Sequence, residues 1–266
     1  MDRVDRALHT RIGRVLGFTA IAVAFSWAQW LAVIASQRGW IVIDVSLGPL
    51  AIFGPFVAAL LIHIRASDDR RRWLASLFQW RIPAGVALVA LFLPPLLLIG
   101  CLAIATGFTP GAPHIEIPSA GTVAAVFFGM FLTAGVGEES GWRGFLLPEL
   151  RRSMGPLRAS FIVAIVWFGW HLPLFWVSGA TQQQIPPVAF ALGILSYSCV
   201  LTWIVEAAND STLAAMLFHS SANVCFWFAM VHVRHLPQSP LFSSAFVAAI
   251  VAIGAFAALL LACRDR

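Results

Sequence analysis

Val123-Ala-Ala-Val-Phe-Phe-Gly-Met-Phe-Leu-Thr-Ala-Gly-Val-Gly-Glu138-Glu139-Ser-Gly-Trp-Arg143 decides how this chain is read. Fifteen apolar or small residues run into two adjacent carboxylates, and an arginine comes one turn later. A charge at the centre of a bilayer costs about 2.5–3.5 kcal/mol on insertion scales. Two neighbouring carboxylates cost more, because they also repel each other. A pair this expensive points to function rather than packing. On a helix, Glu139 and Arg143 are four apart and share a face. Glu138 points about 100° away round the axis. One carboxylate is thus neutralised by arginine, and the other is left for proton transfer.

The rest of the chain is built for lipid. It has 266 residues, of which 60% are hydrophobic and 11% charged, and its mean hydropathy is +0.86. A soluble domain is nearer a quarter charged. These values predict an all-α, polytopic membrane bundle forming one integral domain over 1–266. Runs of roughly 20 apolar residues are the expected unit of crossing. About eight candidates fit, near 13–35, 46–64, 84–107, 119–140, 158–178, 187–206, 212–231 and 243–262. The first comes after an arginine-rich start without a cleavage-site pattern, so it reads as an anchor rather than a removed signal. Pro94-Pro95 should kink the third span, and Pro173 should kink or end the fifth.

All 17 basic residues are arginine, and they alternate by loop. Arg3, Arg6, Arg11 and Arg14 precede the first span. Arg65, Arg70, Arg71, Arg72 and Arg81 come after the second. Arg143, Arg151, Arg152 and Arg158 come after the fourth, and Arg264 and Arg266 end the chain. The opposite loops hold Arg38 and Arg234. The positive-inside bias predicts a multi-pass protein of the cell membrane with both termini in the cytoplasm. The net charge of +5 is explained by this flanking pattern, so no nucleic-acid partner is expected. Cys101, Cys199, Cys225 and Cys263 lie scattered in apolar runs without a CxxC spacing, which excludes a zinc cluster or disulfide framework of that kind. Trp142–Pro156 mixes leucines with Glu149, Arg151 and Arg152 and reads as a short amphipathic helix at the membrane surface. Glu206, beside Asn209 and Asp210, reads as an interface and capping residue.

Two further polar clusters lie inside spans. Trp167-Phe-Gly-Trp170-His171-Leu-Pro173 places a histidine in a stretch, Arg158 to Glu206, with no acidic or basic residue between its ends. His219-Ser-Ser-Ala-Asn223 puts a histidine and an asparagine on one helix face. Such a pair can hold a metal, donate to an oxyanion, or serve as polar glue between helices. At about 1.5 Å per residue, His219 lies roughly 12 Å in from Ser211 and His171 roughly 20 Å in from Arg158. Glu138 matches those depths only if its span is tilted or extends further.

Taken in order, these clusters resemble one family, the CAAX prenyl proteases and their bacterial relatives, the CPBP intramembrane proteases. The shared pattern is a double glutamate with arginine four after the second, an aromatic four before a histidine, and a histidine four before an asparagine. Here these are Glu138, Glu139 and Arg143; Trp167 and His171; His219 and Asn223. The resemblance covers about 120–226, and the family usually has phenylalanine where Trp167 stands. It implies an intramembrane endopeptidase that cleaves membrane-associated substrates, prenylated CAAX-type or other peptides. Carried over by position, Glu138 activates water with His171, while His219 and Asn223 form an oxyanion hole. Glu139, Arg143 and Trp167 are supporting residues. Glu138, His171 and His219 are also the candidate ligands if the family's zinc-dependent description applies. The lack of HExxH, and ligands spread over three helices, favour water activation without metal.

Two other functions remain open on the sequence. The chain is a non-catalytic scaffold, regulator or bacteriocin self-immunity protein if the motif residues only hold the bundle together. It is a carrier if the intramembrane Glu and His form a proton relay; the lack of an internal repeat argues against that.

Overall fold

The computed structural model describes residues 3–64, 67–108, 115–233 and 240–264. Of the arginines that set the loop pattern, Arg65, Arg234 and Arg266 lie outside the described residues. The fold is an all-α bundle. The helices are α1 (Arg3–Gln37), α2 (Gly54–His63), α3 (Ser67–Leu77), α4 (Ala84–Phe108), α5 (Ala120–Met130), α6 (Leu147–Arg151), α7 (Pro156–His171), α8 (Pro187–Ala207), α9 (Thr212–His232) and α10 (Pro240–Arg264). Between α5 and α6 the helix widens into two π-helical stretches, Phe131–Glu139 and Trp142–Leu146. The β structure among the described residues is a single bridge, Ile115 with Val233.

Among the described residues, seven helical segments are long and apolar enough to cross a membrane. They coincide with seven of the eight expected spans. The region expected at 46–64 differs: it is a 3-10 turn, Pro49–Phe53, and then the ten-residue α2. Prolines at the start of each piece divide the run, so neither piece reaches the roughly 20 residues of a crossing. These short pieces pack instead against α1 and the π-helical stretch.

The segment Trp142–Arg151 also corrects its sequence reading. It is not a surface helix. Trp142, Phe145, Leu146 and Leu147 are fully buried, and the helix begun at Ala120 continues through them to Arg151. The charged residues that suggested amphipathicity are paired within the protein. This removes the mismatch in depth. The helix that carries Glu138 runs on to Arg151, and Glu138 meets Trp167 of α7 inside the bundle.

Pro173 acts as expected, since α7 ends at His171 and a 3-10 turn, Leu172–Trp176, comes next. Pro94 and Pro95 sit inside an α4 that runs without interruption. Ser119 starts α5 by accepting from the Thr122 amide, and Ser211 starts α9 by accepting from Ala214. Both satisfy orphan donors of a first turn.

Candidate active site

The two π-helical stretches explain how the glutamate segment can be enclosed. A π turn adds a residue per hydrogen-bonded ring and rotates the register of the residues beyond it. Ala120–Met130 has no buried residue, whereas Ala134, Gly135, Gly137, Glu138 and Glu139 are all buried a turn or two later. Glycines let neighbours approach. A Cβ on Gly135 would lie 3.0 Å from Ser220 Oγ of α9, and a Cβ on Gly141 would collide with Pro55 of α2. The glutamate segment is therefore wedged between α9 and α2.

The polar side chains meet there. Arg143 Nη1 lies 3.1 Å from Glu139 Oε2, and both side chains are fully enclosed. The i,i+4 pairing expected from the sequence is thus present. Glu139 has a second partner that sequence spacing did not suggest: His219 Nδ1, 80 residues later, lies 2.7 Å from Oε1. Glu139 therefore ties the double-glutamate segment to α9. An ionised carboxylate only accepts, so His219 donates through Nδ1, leaving Nε2 for another partner.

Glu138 faces α7. Trp167 donates its indole N–H to Glu138 Oε2 at 2.7 Å. The same tryptophan accepts, through its main-chain carbonyl, from His171 Nδ1 at 2.9 Å. A carbonyl cannot donate, so Nδ1 carries the proton and the neutral imidazole keeps Nε2 as an acceptor. The Trp167 ring also lies 4.6 Å from the Arg143 guanidinium carbon and 5.5 Å from the His219 ring. Asn223 stands one turn beyond His219 on α9 and is half-buried. Glu138, His171 and His219 retain 6%, 7% and 5% of their exposure, whereas Glu139 is fully buried. The candidate working groups thus stand at the edge of the enclosure, and the supporting carboxylate lies behind them.

The same side chains bear on metal ligation. Among the described residues, no three His, Cys, Asp or Glu side chains converge as a metal site. Glu138 Oε2 is engaged by Trp167, and His219 Nδ1 by Glu139. These bonds leave Glu138 Oε1 and the Nε2 atoms of His171 and His219 as the atoms of the expected set that could turn to a ligand.

Further residues support the site without carrying a motif. Trp73 of α3 donates its indole N–H to the Ser140 carbonyl at 2.8 Å. Ser76 and Thr212 hydroxyls, 3.0 Å apart, link α3 to the start of α9. Behind His171, Trp170 donates to Ser26 Oγ at 2.7 Å, and Ser26 donates to the Ala51 carbonyl at 2.6 Å. Trp27 donates to the Trp170 carbonyl at 2.9 Å. One signal for Trp73 was available: with Trp80 it is one of two tryptophans in an otherwise arginine-rich connection. Ser26 gave none.

A buried glutamate and two histidines are thus gathered from three elements of a helical membrane bundle. Residues 120–225 match the family model described as type II CAAX prenyl endopeptidase, Rce1-like. The chain is also 22% identical, over 197 residues, to CAAX prenyl protease 2 of Methanococcus maripaludis, a match covering 65% of this chain and 68% of that protein. Over residues 120–225 the chain is thus similar to the Rce1-like family. The matched segment contains every residue of the three sequence clusters.

Proposed function

We propose that this protein is an intramembrane endopeptidase that hydrolyses peptide bonds of membrane-associated substrates with a water activated by Glu138 and His171. The observation that carries the reading is the meeting of Glu138, His171 and His219 around one side chain, Trp167. Three polar residues from three helices, brought to one point in an apolar bundle, need a purpose beyond stability. The name of the archaeal relative makes a C-terminal CAAX peptide with a prenylated cysteine the first substrate class to offer.

In this mechanism the water lies between Glu138 and His171 Nε2. Its oxygen attacks the carbonyl carbon of the scissile bond as Glu138 takes one of its protons. His171 accepts a hydrogen bond from the other hydrogen and fixes the line of attack. The carbonyl oxygen becomes an oxyanion, held by an N–H from protonated His219 Nε2 and by the Asn223 amide. Glu139 anchors His219 through Nδ1, and Arg143 balances the charge of Glu139. The proton on Glu138 then passes to the leaving nitrogen, the C–N bond breaks to give a carboxylic acid and an amine, and the acid's remaining proton is released to leave a carboxylate. No step calls for a metal. The arginine-rich end, where Arg14, Arg151 and Arg152 gather, faces the cytoplasm in this reading.

The test is cleavage by purified protein of prenylated and unprenylated peptides, read by mass spectrometry. Wild-type protein should release the C-terminal fragment. Glu138→Ala should lower kcat by about 10²–10⁴-fold, the usual worth of a positioned general base. Undiminished cleavage by Glu138→Ala at equal protein level would sink the assignment. Absence of cleavage by wild-type protein on every peptide, with Glu138→Gln and His171→Ala still complementing in cells, would instead favour the non-catalytic scaffold.

A further inference from the structure

Trp167 occupies a position where the family resemblance asks only for an aromatic ring. Its contacts go further. It is 2% exposed, and it touches four members of the site in four ways. Its indole N–H donates to Glu138 Oε2 at 2.7 Å. Its carbonyl receives the His171 Nδ1 proton at 2.9 Å. Its ring covers Arg143 at 4.6 Å and stands edge-on to His219 at 5.5 Å. Phenylalanine could supply the carbonyl and the ring contacts, but not the indole donor.

That donor matters because of where Glu138 sits. The carboxylate has two oxygens and lies beside the Trp167 and Trp142 indoles, His219 and Glu139. If both were unheld, it could rotate about its final torsion, which is broad for a carboxylate. The Trp167 hydrogen bond takes Oε2; the Trp142 indole also stands near the carboxylate but its N–H makes no hydrogen bond, so Oε1 is left to receive a proton. The same residue fixes the tautomer of His171 and so makes Nε2 the acceptor. One residue thus aims the two groups that would flank the water.

We infer that Trp167 is a positioning residue of this site, whose indole N–H holds the Glu138 carboxylate with Oε1 presented to the attacking water. The inference rests on the hydrolytic reading above for its effect on turnover, but the hydrogen bond itself can be read without turnover.

The experiment uses the full-length protein labelled with ¹⁵N-indole tryptophan, alongside kinetics on a cleaved peptide. Trp167→Phe keeps the ring and the carbonyl. It should lower kcat about 10- to 100-fold, the range for losing a hydrogen bond to a charged group. KM should stay within about twofold, because substrate binding is not what the bond supports. The indole resonance that disappears in Trp167→Phe identifies Trp167. In Glu138→Ala that same resonance should move upfield, as its charged acceptor is lost. A kcat for Trp167→Phe within about twofold of wild type, or a Trp167 resonance unmoved by Glu138→Ala, overturns the inference. A wild-type protein inactive on every peptide would count against the hydrolytic reading, and the resonance would still decide whether the hydrogen bond exists.

Discussion

Two polar regions hold this bundle together, and they are built on opposite principles. At the arginine-rich end, charges are shared. Arg14 pairs with both Asp69 and Glu149 at 2.9 Å, Arg152 reaches Glu149 at 2.9 Å and Asp69 at 3.7 Å, and Arg151 bridges Glu206 and Asp210. Several of these side chains are partly exposed, with Arg152 at 40% and Asp210 at 67%. Loss of one contact there leaves others, and water is at hand. In the enclosed site the partners are few and shut away from water. Glu139 takes Arg143 and His219, and Glu138 takes Trp167. The comparison teaches that the first region fastens helices α1, α3 and α6 together, while the second fixes orientations of individual side chains.

The contrast should break most visibly on the arginines. Arg143→Ala leaves Glu139 buried without its guanidinium, and breaking a buried pair costs about 3–5 kcal/mol. Arg152→Ala removes an exposed partner, and such surface pairs are worth about 0–1 kcal/mol. Thermal denaturation of the detergent-solubilised proteins should therefore show a large fall for Arg143→Ala and little change for Arg152→Ala. Equal falls would erase the distinction between the two regions.

A smaller effect is expected where α3 meets the site. Trp73→Phe removes the donor to the Ser140 carbonyl and leaves a buried acceptor in the helix that carries both glutamates. An unsatisfied buried group costs about 1–3 kcal/mol. Hydrogen exchange across Ser140–Leu146 should rise in this variant, while α10, which lies elsewhere in the bundle, should keep its protection.

The smallest expected effect is a pH response at the arginine-rich end. Burial tends to raise Asp69, but hydrogen bonds from Arg72 and Arg14 outweigh it and hold its carboxyl below the ordinary 3.8. A lowered folded value means that the stabilisation is fully present above about pH 4 and is lost as pH falls through the lower folded value. Melting temperatures below pH 4 should therefore decline less steeply in Asp69→Asn than in wild type. Parallel declines would show that Asp69 does not hold the network.

Much of this architecture was legible in the sequence, because lipid imposes simple rules. Long apolar runs marked eight crossings, of which seven match long helices and 46–64 does not, Pro173 marked the end of α7, and the spacing of Glu139 and Arg143 gave their pairing. The features that left no trace there depend on wider contacts. The π turns shift register without leaving a composition signal, so Trp142–Arg151 looked amphipathic although it is enclosed. The His219–Glu139 contact joins residues 80 positions apart, and only the packing of α9 against the widened helix brings them together. Trp167 was visible as an aromatic, but its donor role emerges only when Glu138 is placed opposite its indole nitrogen.

The central claim is that Glu138 and His171 act as one unit on one water. Its most direct test is kcat for Glu138→Gln, His171→Ala and the double variant, measured on the same peptide with equal amounts of folded protein. Residues acting as a unit are strongly non-additive, so the double variant should be about as slow as the worse single one. Losses that multiply would contradict the claim, because two independent contributions would then be at work.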